Sequence, residues 1–399
     1  MKVIAEIGTA HGGNIEKARA LIDEAASCGA DIIKFQWVYA DEILHPETGF
    51  VNLPGGSVRL YDRFKDLEVS TEFFKECLEY THQKGLLFAC SPFGLRSLEE
   101  LASIKPDAIK IASPEVNHIP LLKACSSYYG KIPIILSSGV STLGDIEKAI
   151  AILTGGKAPN KEEKSLVLPP LTLLHCITFY PAPEDEYNVR CVDTLHKIFG
   201  IPTGISDHSL DPVLVPVLAS AMGGSMLEKH ITLSKKTDGL DDPVALEEDQ
   251  FSQMVNAVRQ TEAIFGRFGK DFAAGGNSIT NARLLADGTI LSTSQAEIIR
   301  QMEMQYGEEK VLKVLGSGAK RLAASEINNY GRTNRSLHYT SSLEKGHKIE
   351  SKDIAVLRTE KVLTPGIPPE FLDTVIGSVL QQDVTSGNGV NWQDLLQKN

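Results

Sequence analysis

Long apolar runs are missing from the sequence. None approaches the roughly 20 residues that a membrane helix needs, and the opening MKVIAEIG reads directly into a strand rather than a signal peptide. A surplus of positive charge is missing too. The net charge is -11, with 40 Lys and Arg against 51 Asp and Glu, which excludes a general nucleic-acid binder with a basic field. Closely spaced cysteine pairs are absent. The six cysteines, at 28, 77, 90, 125, 176 and 191, show no C-x-x-C, and several fall inside strand or helix patterns. They read as free buried thiols of a reducing compartment. A cytoplasmic protein that engages neither membrane nor nucleic acid is the expectation. With 42% hydrophobic and 23% charged residues the composition is globular. A length of 399 residues exceeds what one core usually organises, so two domains are expected.

What is present is a series of short apolar runs, each ending on a polar residue. In order they are VIAEIG at Glu6, DIIKFQ at Lys34 and Gln36, LLFACSP at Ser91, and AIKIAS at Lys110 and Ser113. PIILSSG at Ser137, LTLLHC at His175, TGISDH at Ser206, Asp207 and His208, and SMLEKH at Glu228 and His230 complete the set. Helical patterns lie between them, beginning with Asn14 to Cys28 and Thr71 to Lys84, the second capped by Ser70 or Thr71. Eight strands alternating with helices in about 265 residues predict a (β/α)₈ barrel, whose strand ends converge on one mouth. An open doubly wound sheet is the competing fold, but GTAHGG is a poor dinucleotide loop. Residues 37–69 read as a loop over the mouth, and residues 154–170 as a solvated surface insertion. The barrel is expected over 1–266, a linker with a helical stretch at 291–315 over 267–333, and a small β-rich domain over 334–399.

His208 and His230 end neighbouring strands, so they can share a divalent metal or remain two hydrogen-bonded histidines. Asp207 and Glu228 can orient them, unless strand alternation turns these carboxylates away. Lys34 and Lys110, with Ser91, Ser113, Ser137 and Ser206 at the same level, form a plausible phosphate or carboxylate site. A Schiff base on one lysine, or simple solvation of both, stays open. Glu6 and Glu115 can hold a sugar hydroxyl, move a proton or neutralise a lysine.

Taken together, EIGTAHGG, IIKFQ, SPFG, IKIASPE, ILSSGV, HCITFYPAPE, GISDHSLD and LEKHIT resemble, in order, the signature segments of the sialic acid synthase family. Residues 335–399 resemble the antifreeze-like SAF domain that follows the barrel in that family. The resemblance implies condensation of phosphoenolpyruvate with N-acetylmannosamine or a related N-acetylated hexose. It implies a divalent metal, manganese or else magnesium or cobalt, on His208 and His230. It assigns Lys34, Ser91, Lys110, Ser113, Ser137 and Ser206 to phosphoenolpyruvate. Glu6, Gln36, Thr178, Tyr180 and Asp241 fall to the sugar side or to catalysis, and Glu115 to proton transfer. Arg358 is implied to reach a partner's site in a domain-swapped homodimer. The departures are Ala10 to Gly13 in place of an amide-bearing loop, Thr178 where some members carry Asn, Thr359 after Arg358, and a longer 267–333 segment. They touch the sugar side, so legionaminic- and pseudaminic-type substrates stay open beside N-acetylmannosamine.

Overall fold

The computed structural model describes all residues except 54–55, 158–165, 238, 274–282, 285–289, 360–361 and 397–399. The middle of the expected 154–170 insertion, much of the Gly-rich 267–290 stretch and the last three residues of the small domain therefore lie outside the described residues.

Eight parallel strands close into one barrel. They are β1 (Lys2–Gly8), β2 (Ile32–Trp37), β3 (Leu87–Pro92), β4 (Ala108–Ile111), β5 (Ile134–Ser137), β6 (Leu171–Cys176), β7 (Thr203–Asp207) and β8 (Met226–His230). β1 and β8 pair to shut the ring, with Glu6 opposite His230. The helices between the strands start where the sequence provides caps. Asn14 accepts from the Lys17 N–H at the head of Ile15–Ser27, and Ser70 accepts from the Phe73 N–H at the head of Thr71–Gln83.

Strand alternation then divides the side chains between two environments. Val3, Ala5, Ile33, Phe35, Phe88, Cys90, Ile109, Leu136, Leu173, Ile205 and Leu227 face outward into one large apolar core beneath the helices. Ile4, Ile32, Ala89, Ala108, Ile135, Leu174 and Met226 face inward and, with Leu168, fill the lower barrel. One step further along each strand, the inward positions turn polar: Glu6, Lys34, Lys110, Ser137, Ser206 and Glu228. Asp207 points outward and pairs with Lys229 of the neighbouring strand at 2.7 Å in full burial, so it braces β7 against β8.

Beyond the barrel, the helix expected over 291–315 is broken by Gly307, whose φ of +88° favours glycine, into Thr293–Tyr306 and Glu308–Leu315. Residues 37–69 are not an irregular loop. They hold a short helix (Ala40–Ile43), a hairpin (Phe50–Leu53 with Gly56–Arg59) and a second helix (Leu60–Lys65). The small domain has its own core of Leu337, Tyr339, Ile349, Ile354, Ile367, Val375, Leu380 and Val390. Its two strands, β9 (Arg335–Tyr339) and β10 (Ile354–Arg358), run antiparallel with Arg335 directly opposite Arg358. Thr359 places its hydroxyl 3.0 Å from both Ser336 Oγ and His338 Nε2, completing a buried polar cluster.

Candidate active site

The inward polar residues meet just above the apolar plug. Lys34 Nζ lies 2.7 Å from Glu6 Oε2 and donates to Ser91 Oγ at 3.3 Å. Gln36 Nε2 donates to Glu6 Oε1 at 3.0 Å. On the neighbouring strands, Ser206 Oγ donates to Glu228 Oε1 at 3.0 Å. Glu228 Oε2 accepts no hydrogen bond, and Lys110 and Lys34 stand 3.8 and 3.9 Å from it. All four charged side chains are buried.

Their environments drive the two carboxyls apart. Burial raises Glu6, and the charge of Glu228 adds to it, so the group is lifted from 4.5 to about 7 despite Lys34. Burial would also raise Glu228, but Lys110, Lys34 and the Ser206 hydroxyl outweigh it and bring the group down to about 2. At neutral pH one is a fixed anion and the other exchanges its proton easily. Burial lowers Lys110, which has no closer carboxylate than Glu228 among the described residues.

Around the ring sit the two histidines, with ring centres 5.7 Å apart. His208 Nδ1 lies 2.7 Å from the Ile177 carbonyl. That contact puts a proton on Nδ1, so Nε2 is the nitrogen that could serve as a ligand once its own proton is lost. Burial lowers His230 to about 4, so it is neutral at pH 7 and keeps a lone pair. His208 is lifted to about 9, against burial, by Cys176, whose sulfur lies 3.8 Å from Nδ1. A shared cation would reverse that lift. Among the described residues no group of three or more His, Cys, Asp or Glu is arranged to hold a metal ion. A cation on this pair would need its other ligands from outside the described His, Cys, Asp and Glu side chains. The half-exposed Tyr180 lays its ring 4.1 Å from that of His208, and Asp241 Oδ2 lies 3.9 Å from His230 Nδ1.

Two hydroxyls of the same mouth, Ser137 Oγ and Thr178 Oγ1, are buried without a hydrogen-bond partner. Ser113 Oγ accepts from the Gly139 N–H at 2.9 Å. His175 points outward, with Nε2 2.7 Å from the Tyr187 carbonyl, and takes no part. His11, in the loop that departs from the amide-bearing pattern, is buried with its ring 4.8 Å from that of Phe73.

Glu115 sits between two arginines. Oε1 accepts from Arg358, at 2.7 Å, and Oε2 accepts from Arg335. The arginines overcome burial and hold the carboxyl below its ordinary range. Each oxygen is thus engaged by an arginine. Within the single chain, Arg358 reaches the Glu115 loop of the barrel and lies 5.1 Å over the Phe93 ring. Arg335 donates to the carbonyls of Glu42, Phe93 and Val356, so it ties the loops after β2, β3 and β4 to β10. Sequence reasoning missed Arg335, and it passed over Glu228 as the central anion. The second was readable, since Glu228 shares its strand face with His230.

Residues 21–270 match the NeuB family and residues 334–396 match the SAF domain. The chain belongs to the NeuB family. It is 27% identical to the N,N'-diacetyllegionaminic acid synthase of Legionella pneumophila, over 98% of this chain and 94% of the relative. To the pseudaminic acid synthase of Campylobacter jejuni it is 28% identical, over 98% of this chain and 96% of the relative. The crystal structure of the spore coat polysaccharide biosynthesis protein SpsE of Bacillus subtilis superposes with a TM-score of 0.75 at 28% identity, covering 100% of this chain and 96% of that one. This NeuB-family chain is therefore an enzyme of the nonulosonic acid synthase group.

Proposed function

We propose that the enzyme condenses phosphoenolpyruvate with an open-chain N-acetylated hexose, forming a C–C bond and releasing phosphate. The observation that carries this reading is Lys110. It is a buried ammonium whose nearest carboxylate among the described residues stands 3.8 Å away and which donates to the Ile111 carbonyl at 3.3 Å. A buried cation held only by a long carbonyl contact and a carboxylate at the edge of ion-pair range favours an incoming anion. Phosphoenolpyruvate offers two anionic groups, for Lys110, Lys34, Ser91, Ser113, Ser137 and Ser206. Gln36, Thr178, Tyr180 and Asp241 line the sugar side.

His208 and His230 would hold a divalent cation, manganese by family resemblance, which supplies Lewis acidity toward an aldehyde oxygen. Phosphoenolpyruvate attacks the aldehyde carbon through C3. Water adds to the cationic C2, and the tetrahedral intermediate expels phosphate by breaking the C2–O bond. The new sugar hydroxyl needs one proton and the attacking water gives one up. Glu6, at about 7, is suited to move a proton, while Glu228 remains an anion that steadies the positive charge at C2. Holding both substrates supplies much of the rate, worth about 7–11 kcal/mol at best.

The sugar is an N-acetylmannosamine-type or a diacetamido hexose. The latter is favoured by relatives named for legionaminic and pseudaminic acids over nearly the whole chain. A phosphate-release screen with manganese over a panel of N-acetylated and diacetamido hexoses tests this. Release should require both phosphoenolpyruvate and one sugar. Release without sugar, or borohydride trapping of a substrate adduct on Lys110, would overturn the mechanism.

A further inference from the structure

The polar segment between the last inserted helix and the small domain carries Glu326, which is 1% exposed although it belongs to no barrel element. Its Oε2 accepts from two main-chain N–H groups, those of Val140 and Thr178, each at 2.9 Å. Its Oε1 accepts from the Ala323 N–H at 3.2 Å. The same segment grips the matching carbonyls. Asn334 donates to the Val140 carbonyl at 3.1 Å, Asn329 to the Thr178 carbonyl at 3.1 Å, and Lys320 to the Ser138 carbonyl at 3.0 Å. Both peptide faces of the loops after β5 and β6 are therefore held from outside the barrel.

One of these loops needs holding. Val140 is a buried β-branched residue with φ of +41°, a left-handed conformation that such side chains rarely adopt. The two loops also touch. A Cβ on Gly139 would meet Thr178 Oγ1 at 2.1 Å, so only glycine fits between them. These loops carry the unpartnered hydroxyls of Ser137 and Thr178 and lead into Tyr180, while Ile177 supplies the carbonyl that orients His208.

We infer that Glu326 is a positioning residue: it locks the strained Val140 loop onto the Thr178 loop and so sets the spacing between the anion side and the sugar side of the site. Its catalytic consequence rests on the reaction proposed above. The charge is useful because a carboxylate oxygen accepts two N–H bonds at once.

Amide hydrogen exchange and kinetics on the full chain test it together. In Glu326→Ala, exchange at Val140 and Thr178 should quicken about 100-fold or more while Arg335–Tyr339 and Ile354–Arg358 keep their protection. kcat/KM should fall about 100-fold, the scale of a loop misplaced by about 1 Å. Glu326→Gln keeps one oxygen for the two N–H groups and should lose less than about 10-fold. Val140→Gly relieves the strain, so Glu326→Ala should cost less in that background than alone. Wild-type exchange at both amides in Glu326→Ala, uniform loosening of the chain, or a Gln variant as impaired as the Ala variant would each overturn the inference. Exchange is read without substrate, so a chain that turns over no phosphoenolpyruvate would refute the reaction while the amides still decide the positioning.

Discussion

Replacing Glu115 by Ala should undock the small domain. Glu115 and Arg335 have no side-chain exposure and Arg358 has 14%, so the substitution leaves two guanidinium groups buried with no anion between them. Breaking a buried ion pair on one side costs about 3–5 kcal/mol. The repulsion between Arg335 and Arg358, opposite each other across β9 and β10, adds to that. Such a loss is a large share of the roughly 5–15 kcal/mol by which a protein is stable. Denaturant unfolding should therefore show an early transition for the small domain, with proteolysis in 316–334 at concentrations that spare the wild type. Glu115→Gln keeps the hydrogen bonds without the charge and should fall between the two. A triple Leu variant at 115, 335 and 358 should regain much of the stability, since apolar replacement of a buried triad is often neutral. Its activity should stay low if Arg358 serves the site as well as the docking. An unfolding curve for Glu115→Ala that superimposes on the wild type would refute the reasoning.

Glu6→Gln should abolish activity and change the pH dependence of stability. A carboxyl lifted from 4.5 to about 7 binds its proton more tightly when folded, so its contribution is present at low pH and is lost as pH rises through about 7. The variant should thus gain on the wild type between pH 5 and pH 8, by at most about 3 kcal/mol because Glu228 shares the change; a gap constant with pH in urea titrations would refute the placement. His208→Ala and His230→Ala should each lose manganese binding in calorimetry, and chelated wild type should be inactive until manganese returns; full activity after exhaustive chelation would contradict this. With Arg358 on its own barrel, mixing Arg358→Ala with Glu6→Gln should restore nothing. Recovery toward about a quarter of wild-type activity would mean the chains exchange their small domains.

Most of the barrel and its inward residues could be read from the sequence, because strand order brings the C-terminal ends together whatever the loops do. Alternation even separates Glu228 from Asp207, one position apart in neighbouring strands' registers, into opposite environments. The clamp of Glu115 could not be read. It depends on Arg335 and Arg358, more than 200 residues away, and non-local contacts leave no local pattern. Glu326 and Lys320 sit in a stretch without periodicity that looks solvated. Their burial follows from main-chain groups of the barrel loops that need partners, which no count of polar residues reveals.

The facing arginines of β9 and β10 give the molecule an order of assembly. The barrel is made before the small domain and shares its apolar core with Ile298, Ile299, Val311 and Val314 of the helices that follow it, whereas the small domain comes after both with two like charges side by side. Only the finished loop at Glu115 relieves them. The closing piece thus settles late, and onto a mouth already in shape, so a misfolded barrel would be left without its cover and open to proteolysis.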